Sequence, residues 1–166
     1  MIPLTDHQMA DYFHRSYKTV DGLWFMKVEQ RMGFDAALDI DNEVWKVMPK
    51  IQARKLKELT GLTSGLEALC ECLTTRLAIE SFEFTTDRDA DDTGFSITSV
   101  RCPWYDLLTK SNRQHLAGKI GNLICNTEYS AWAAEFGDDI RVKMDDRICT
   151  GCSHCTIRFE RIAPPG

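Results

Sequence analysis

The fold is decided by residues 140–159, which read Ile140-Arg-Val-Lys-Met-Asp-Asp-Arg-Ile-Cys-Thr-Gly-Cys-Ser-His-Cys-Thr-Ile-Arg-Phe159. Apolar residues alternate with charged or polar ones at both ends of this stretch, and a period of two is typical of a strand with one buried face. The alternating apolar residues are Ile140, Val142 and Met144 at the start, and Cys155, Ile157 and Phe159 at the end. The sequence therefore predicts two half-buried strands joined by a cysteine-rich loop at residues 147–154.

A second pair of strands is predicted upstream. Phe82 and Phe84 alternate with polar residues, and so do Phe95 and Ile97. The acidic segment 87–94 between the two runs is typical of a solvated hairpin turn. The four strands together predict a small antiparallel sheet.

Helical patterns fill the rest of the chain. Thr5 with Gln8, and Ser64 with Glu67, form capping-box patterns, in which a side chain satisfies an otherwise unpaired backbone N–H. Pro49 is expected to kink or begin a helix, because it lacks an N–H group. The predicted helices span approximately residues 5–33, 35–48, 51–59, 64–79, 103–108 and 113–136.

These patterns predict an α+β fold, with N-terminal helices followed by a small antiparallel sheet packed on helices. The length of 166 residues is that of one domain. We expect a helical part at residues 1–79, an α+β part with the cysteines at residues 80–162, and a tail at residues 163–166.

Composition excludes several function classes. The net charge of -5 and the lack of a basic stripe argue against nucleic acid as a partner. Charged residues interrupt the apolar stretches well short of a membrane span, which argues against a membrane partner. Residues 1–6 lack the basic and apolar regions of a signal peptide, so we expect a cytoplasmic protein.

The cysteines are the most informative residues. There are seven of them, and an odd number without a signal peptide does not indicate a disulfide framework. Cys149, Cys152 and Cys155 form two overlapping C-x-x-C steps, a spacing that directs several thiolates of one loop to a single point. Thiolates in such a loop suit zinc or an iron–sulfur cluster.

A loop with three cysteines is an incomplete site for a four-coordinate centre. Cys102, at a strand-to-helix corner before Pro103, and Cys125, within the long helix, are the candidates to complete it. The alternative is that both are small buried apolar residues, as cysteine often is. Cys70 and Cys72 are expected to point to opposite sides of a helix, with one of them in the core and neither a metal ligand.

A small-molecule pocket is predicted from four residues of the helical part. Trp24 and Glu29 lie in a dense polar and aromatic helical stretch, and an acid there could act as a general base if it is buried. Trp45 and Arg54 could line a pocket, where the guanidinium would hold a carboxylate by two parallel bonds. A solvated helix face and a surface ion pair are the alternatives.

The segment Cys149-Thr-Gly-Cys-Ser-His-Cys-Thr-Ile-Arg-Phe159 resembles the vinyl reductase domain superfamily. A closer resemblance within it rests on the segments Tyr17-Lys-Thr-Val-Asp-Gly-Leu-Trp-Phe-Met-Lys-Val-Glu29, Val44-Trp-Lys-Val-Met-Pro-Lys-Ile-Gln-Ala-Arg54 and Arg101-Cys-Pro-Trp104. Within it, the chain is most similar to the L-2-amino-thiazoline-4-carboxylic acid hydrolase-like family. The resemblance implies a vinyl-reductase-domain-like fold, a small-molecule ligand and a homodimer. It also matches Cys149 and Cys155 to the cysteine pair of the superfamily and makes Cys152 an additional thiol.

Three functions follow as hypotheses. The first is a metal- or iron–sulfur-binding cytoplasmic protein with a small-molecule pocket, acting as a sensor or accessory factor. The second is a hydrolase acting on a C–N bond of a small cyclic amino-acid derivative, with a metal-activated water or a nucleophilic cysteine. The third is a structural zinc protein that mediates dimerisation.

Overall fold

A computed structural model describes residues 2–162 and confirms the α+β class, with N-terminal helices followed by a four-stranded antiparallel sheet packed on helices. The helices are α1 (Asp6–Met32), α2 (Phe34–Trp45), α3 (Met48–Thr60), α4 (Gly65–Ile79), α5 (Pro103–Lys110) and α6 (Ala117–Phe136). The strands are β1 (Glu83–Arg88), β2 (Gly94–Arg101), β3 (Ile140–Met144) and β4 (Cys155–Arg161). Two short 3-10 helices, Gln114–Leu116 and Ile148–Thr150, precede α6 and β4.

The sheet has the order β1-β2-β4-β3, and every neighbouring pair is antiparallel. The two predicted hairpin partners, β1 and β2, form one side, and the two strands that flank the cysteine loop form the other. β2 and β4 are therefore the central strands. Phe95 of β2 lies opposite Phe159 of β4, and their rings stack with centroids 4.8 Å apart. This pair anchors the buried face of the sheet.

The core lies between that face and the helices α3, α4 and α6. Trp132 and Phe136 of α6 are fully buried and stack on each other with centroids 6.2 Å apart. Leu69, Leu73 and Leu77 of α4 are also fully buried, and their spacing of four residues places them on one helical face. The same packing places α6 against the cysteine loop.

The chain divides into two compact units, Met1–Glu43 and Val44–Gly166. The sheet, the cysteines and helices α3 to α6 belong to the second unit, and α1 belongs to the first. The prediction of a single domain divided at residue 79 stays a prediction, and the tail predicted at residues 163–166 lies outside the described residues. None of the helices described between residues 2 and 162 has the length and hydropathy of a membrane-spanning segment.

The helix ends confirm one capping box and correct the other. The Thr5 hydroxyl accepts a hydrogen bond from the Gln8 N–H, and the Gln8 side chain accepts one from the Thr5 N–H. Ser64 precedes α4 as predicted, but its side chain makes no capping bond within residues 2–162. Gly65 enters the helix with a φ of 89°, so the first turn does not present its N–H groups as a capping box requires.

Two further predictions were wrong in detail. The long helix was expected from residue 113, but the chain first forms the 3-10 turn Gln114–Leu116 and α6 begins at Ala117. Cys70 and Cys72 were expected to place one thiol in the core, and both are buried. The buried residues of α4 extend over more than half of its circumference, so residues on opposite sides of it are both covered.

Candidate functional site

One face of α6 forms the floor of the candidate site. Gly121, Cys125 and Glu128 follow one another at intervals of four and three residues, which places them along the same side of the helix. Gly121 and Glu128 are buried, and Cys125 packs against the edge of the hydrophobic core. One helical face therefore carries, in order, a position without a side chain at Gly121, the thiol of Cys125 and the carboxyl group of Glu128.

The Cys149 sulfur occupies the gap at Gly121. A Cβ atom at Gly121 would lie 2.6 Å from the Sγ atom of Cys149 and 3.8 Å from the Sγ atom of Cys125. Both sulfurs thus lie within van der Waals reach of a single point above the helix. The first distance is too short for a real contact, so a side chain at this position would have to displace the Cys149 sulfur.

The loop that carries Cys149 is fixed to α6 by an arginine. The Arg147 guanidinium donates to the carbonyl oxygen of Gly121 at 3.1 Å and to the Asn126 Oδ1 atom at 2.6 Å. The carbonyl oxygen of Arg147 in turn accepts from the N–H groups of Thr150 and Cys152, both at 3.1 Å. Arg147 therefore organises the loop from within and holds it against the helix.

Cys155 begins β4 on the buried side of the loop. Its sulfur accepts a hydrogen bond from the Ile148 N–H at 3.2 Å. Ser99 of β2 is its partner in the sheet register, which places the two side chains next to each other. The Ser99 hydroxyl is buried and has no hydrogen-bond partner among residues 2–162. A second donor is thus available beside the Cys155 sulfur.

Cys102 enters the same region from the end of β2. It is the residue before α5, and the N–H groups of Tyr105 and Trp104 act to lower the pKa of its thiol. Burial has the larger effect and raises that pKa to about 11, with smaller contributions from Cys155 and Glu128. The thiol is consequently protonated at neutral pH in the protein without a bound cation.

The other thiols show the same behaviour. Burial raises the pKa of Cys125 well above its ordinary value, and nearby charge on Glu128, Cys102, Cys149 and Cys155 raises it further. Burial also raises the pKa values of Cys149 and Cys155, and each of these receives a further increase from Cys152. Because these groups disfavour charge on one another, a bound cation would reverse the effect and stabilise the thiolates.

Cys152 and His154 lie at the outer side of the loop. Cys152 is exposed, and Gly151 before it adopts a φ of 101°, a conformation that favours glycine. The Nε2 atom of His154 lies 3.3 Å from the Asp146 carboxylate, and its Nδ1 atom lies 3.1 Å from the Ser153 hydroxyl. The imidazole is therefore engaged within the loop.

The side chains are close together but are not at ligand distances. Within residues 2–162, no group of three or more histidine, cysteine, aspartate or glutamate side chains is arranged to hold a metal ion. The predicted ligand set of Cys102, Cys125, Cys149, Cys152 and Cys155 accordingly stays a prediction. Cys102, Cys125, Cys149 and Cys155 lie in electrostatic reach of one another or of Glu128, and Cys152 lies at the rim.

A buried charged network adjoins the thiols. Arg76 of α4 forms ion pairs with Glu128 of α6 and, at 3.0 Å, with Glu80, and all three side chains are no more than 7% exposed. The indole N–H of Trp104 donates to Glu80 at 3.3 Å. Burial raises the pKa of Glu128 to about 7, Arg76 opposes this increase, and Glu80 adds to it. A carboxyl group that titrates near neutral pH thus lies beside Cys125.

The sequence of residues 7–158 matches the family described as "Family of unknown function (DUF6125)". The chain belongs to this family. No curated protein matches the sequence. The DUF6125 match begins within α1 and ends within β4, so it includes every cysteine named above.

The four residues that were predicted to bind a ligand lie in both units of this DUF6125 chain. Trp24 and Glu29 are in α1, where Trp24 is exposed. Trp45 is buried, and its ring packs edge-on against Trp104 with centroids 5.9 Å apart. The Arg54 guanidinium makes two parallel bonds, of 3.0 Å and 2.8 Å, to the Glu135 carboxylate. Its fork therefore holds a carboxylate, but one that the protein itself provides.

A surface groove of about 310 Å³ lies between the C-terminal half of α6 and β3 in this DUF6125 chain. It is lined by residues such as Ala134 and Arg141, and by none of the four predicted ligand-binding residues. This groove does not test the predicted small-molecule pocket, which therefore stays a prediction.

Sequence reasoning missed Arg76, Glu80 and Glu128. Arg76 and Glu128 are charged residues in the apolar register of their helices, and Glu80 directly follows α4. Glu128 lies four residues from both Ile124 and Trp132, which are buried. A charge on the buried stripe of a helix is uncommon unless it is paired, and this was the available signal. The spacing of four residues between Arg76 and Glu80 could have indicated that pair, but the pairing of Arg76 with Glu128 could not be identified, because Glu128 comes from another helix.

Proposed function

We propose that this DUF6125 protein is a cytoplasmic thiolate metal protein that holds zinc or an iron–sulfur cluster and acts as a sensor or accessory factor. Cys102, Cys125, Cys149 and Cys155 are its ligands, and Cys152 is an alternative ligand from the rim of the loop. The resemblance to the vinyl reductase domain superfamily supports a small-molecule ligand and a homodimer as parts of the same proposal.

The observation that carries the proposal is the meeting of two sulfurs above Gly121. Cys125 and Cys149 come from a helix and a loop that are separate in the sequence, and both sulfurs approach the same point of the helix surface. Cys102 and Cys155 bring two more thiols within electrostatic reach. Four thiols from four elements match the ligand number of structural zinc and of common iron–sulfur clusters.

The loop supplies the further features that a thiolate centre requires. The Ile148 N–H already donates to the Cys155 sulfur, and hydrogen bonds to sulfur are a means by which proteins tune such centres. A bound cation would supply the positive charge that keeps the thiols ionised in this buried environment. A site closed by four protein ligands favours a structural or sensing role, whereas an open position would favour catalysis.

The direct test is metal analysis of protein purified without oxygen. Iron with labile sulfide and a brown colour would support a cluster, and one colourless zinc ion per chain would support the zinc site. Protein that contains neither metal, and that also fails to take up zinc or a cluster reconstituted from iron and sulfide, would exclude the proposal.

Cysteine variants assign the ligands. Cys125→Ser and Cys149→Ser should each remove most of the bound metal, because three remaining thiols leave a four-coordinate centre incomplete. Cys72→Ala is the matched control, since Cys72 is a buried cysteine of α4 whose sulfur lies near the Thr60 hydroxyl and outside the cluster. It should retain the full metal content, and equal loss in all three variants would indicate general unfolding instead.

A second candidate function is hydrolysis of a C–N bond in a small cyclic amino-acid derivative, and Glu128 is the observation that favours it. A general base works best when its pKa is near the working pH, and the Glu128 carboxyl has a pKa of about 7 beside Cys125. In this scheme Glu128 would accept a proton from the attacking water, and the proton would then pass to the ring nitrogen that leaves.

Ring opening of an amino-thiazoline carboxylate is the assay for this second candidate. Glu128→Gln should lower kcat by roughly 10²–10⁴-fold, the usual contribution of a general base. Glu135→Gln, which changes a carboxylate farther along α6, should leave kcat unchanged. Absence of turnover by fully metal-loaded protein would leave the first proposal in place and remove the second.

A further inference from the structure

The first helix presents an exposed, largely apolar side that also contains Ser16 and Lys27. α1 has 27 residues, and none of them is buried. Met9, Phe13, Val20 and Trp24 follow one another at intervals of four, seven and four residues, with Tyr12 and Leu23 beside them. This spacing places all six side chains on one side of the helix, which we name the α1 stripe.

The stripe is large enough for a stable protein interface. Tyr12, Phe13, Val20 and Trp24 are between 63% and 69% exposed, and Leu23 is 50% exposed. With roughly 150–250 Å² for each aromatic ring, the stripe exposes on the order of 700 Å² of apolar surface, close to the ~800 Å² that each partner contributes to a standard interface. Apolar patches of this size mark interaction sites rather than ordinary surface.

The stripe is arranged with a two-fold repeat. Tyr12 and Phe13 form one bulky pair, and Leu23 and Trp24 form a second pair eleven residues later, three turns along the same side. When two copies of the helix pair antiparallel about a centre near Lys18, the first pair of each copy meets the second pair of the other. Isologous dimers require this kind of self-complementary surface.

Charges at the two ends of the helix favour the antiparallel arrangement. Asp6 lies in the first turn and Arg31 in the last turn, both in line with the stripe. In the antiparallel pair, each Asp6 faces an Arg31 of the other copy, about the same centre as the apolar pairs. In a parallel pair, aspartate would face aspartate and arginine would face arginine, which is repulsive.

We propose that the α1 stripe is the interface of a homodimer in which the two α1 helices pack antiparallel. This deepens the proposed function, since it rests on the homodimer named there, and it does not depend on the metal site. The occupant of the stripe is a second copy of this chain, chosen because both the apolar pairs and the terminal charges are self-complementary.

The test is the mass of the full-length protein in solution, measured by light scattering and by sedimentation velocity. The unmodified chain should have twice the mass of one chain at micromolar concentrations. The double variant Phe13→Glu with Trp24→Glu should be monomeric, because it places four carboxylates in the two apolar contacts of the interface. Its circular dichroism spectrum and metal content should match those of the unmodified protein.

The matched control places the same charges elsewhere on α1. Gly22→Glu with Met26→Glu alters two exposed residues outside the stripe, and a side chain at Gly22 would meet nothing within 4 Å, so this variant should remain dimeric. A stripe variant that stays dimeric would place the interface on another surface and overturn the α1 proposal alone. If the unmodified chain is monomeric at all concentrations, both this proposal and the homodimer are wrong. The metal site is tested independently, by metal analysis.

Charge exchange tests the direction of the helices even if the glutamate variant folds poorly. Asp6→Arg alone, or Arg31→Asp alone, should weaken dimerisation by roughly tenfold, because each converts two attractive contacts into repulsive ones. The variant with both exchanges should regain the original affinity. Failure of the double exchange to restore the dimer would overturn the antiparallel arrangement. A monomer that instead binds vesicles of phosphatidylcholine and phosphatidylserine through the stripe would overturn the dimer.

Discussion

Gly121 is the residue on which the geometry of the site depends most directly. We expect Gly121→Ala to displace the Cys149 sulfur, because the new Cβ would lie 2.6 Å from it. Overpacking of this kind costs about 1–3 kcal/mol, which exceeds the gain of up to ~1 kcal/mol from replacing glycine by alanine in a helix. Urea unfolding measures the free energy of unfolding, and metal analysis measures the bound metal. Both quantities should be lower in Gly121→Ala than in the unmodified protein.

Gly22 provides the matched control for that substitution. It lies within α1, and a Cβ there would meet nothing within 4 Å. Gly22→Ala should therefore raise the free energy of unfolding by about 0.5–1 kcal/mol, through helix propensity alone. The interpretation of Gly121 would fail if both alanine variants changed stability in the same direction by the same amount.

Glu128 should give the protein a characteristic dependence of stability on pH. The pKa of this carboxyl is about 7 in the folded protein, against an ordinary value of 4.5. Between these values the unfolded chain releases a proton that the folded chain keeps, so the group lowers the free energy of unfolding as the pH rises. The Glu128→Gln variant lacks this titration. Its free energy of unfolding, relative to that of the unmodified protein, should therefore increase from pH 4.5 to pH 7.

Glu135 is the control of opposite sign. Its ion pair with Arg54 lowers the pKa of its carboxyl, so the stability that it contributes is present above the ordinary value and is lost as the pH falls. Glu135→Gln should therefore become less stable, relative to the unmodified protein, as the pH rises through the ordinary value. Urea unfolding at a series of pH values measures both slopes, and two parallel slopes would contradict the assignment.

The limit of sequence reasoning at the residue scale is clear at Cys149 and Glu128. The C-x-x-C spacing indicated that the loop thiols matter, and the position of Cys102 before Pro103 indicated a helix N-terminus, which α5 confirms. That the Cys149 sulfur rests on Gly121 could not be predicted, because it depends on how a loop packs against a helix about thirty residues away. The Arg76–Glu128 pair was missed for the same reason.

The loop between β3 and β4 is a semi-rigid element because Arg147 fixes it to α6. Arg147→Leu removes hydrogen bonds to the Gly121 carbonyl and to Asn126, and bonds that involve a charged group contribute about 1.5–3 kcal/mol each. We expect the loop to open more often, so that a thiol reagent labels Cys149 and Cys155 at least tenfold faster in metal-free protein.

Lys143→Leu is the control for the loop. Lys143 lies in β3 close to the loop in sequence, and its ion pair with Glu160 is exposed, so its loss should change labelling rates little. Mass spectrometry of labelled peptides locates the reacting thiols. Equal labelling rates in the unmodified protein and in Arg147→Leu would show that the arginine does not restrain the loop.

At the scale of elements, local patterns were sufficient for most of the fold. The alternation of Ile140, Val142 and Met144 predicted the observed bounds of β3. Gly33, Gly61 and Gly137 follow helices as expected. Errors occurred where tertiary packing decides the outcome. The turn at Gln114–Leu116 and the burial of both Cys70 and Cys72 depend on neighbours that local periodicity does not identify.

For the whole molecule, metal binding should be visible as stability. A ligand at one hundred times its dissociation constant adds about 2.7 kcal/mol to the free energy of unfolding. In a chain of this size, that corresponds to an increase in Tm of roughly 5–10 °C. Removal of the metal with a chelator under reducing conditions should lower Tm by this amount, and Cys125→Ser should show no response to the chelator.

The sheet order β1-β2-β4-β3 leaves β1 and β3 at its two margins. An edge strand has unpaired backbone groups that can pair with a strand of another molecule, and charged side chains on the edge strand commonly prevent this pairing. β1 carries Asp87 and Arg88, and β3 carries Arg141 and Lys143. A fifth strand from a neighbouring molecule would have to desolvate these charges. The sheet is thereby protected from growing sideways into fibrils, and recognition between molecules is left to the helices.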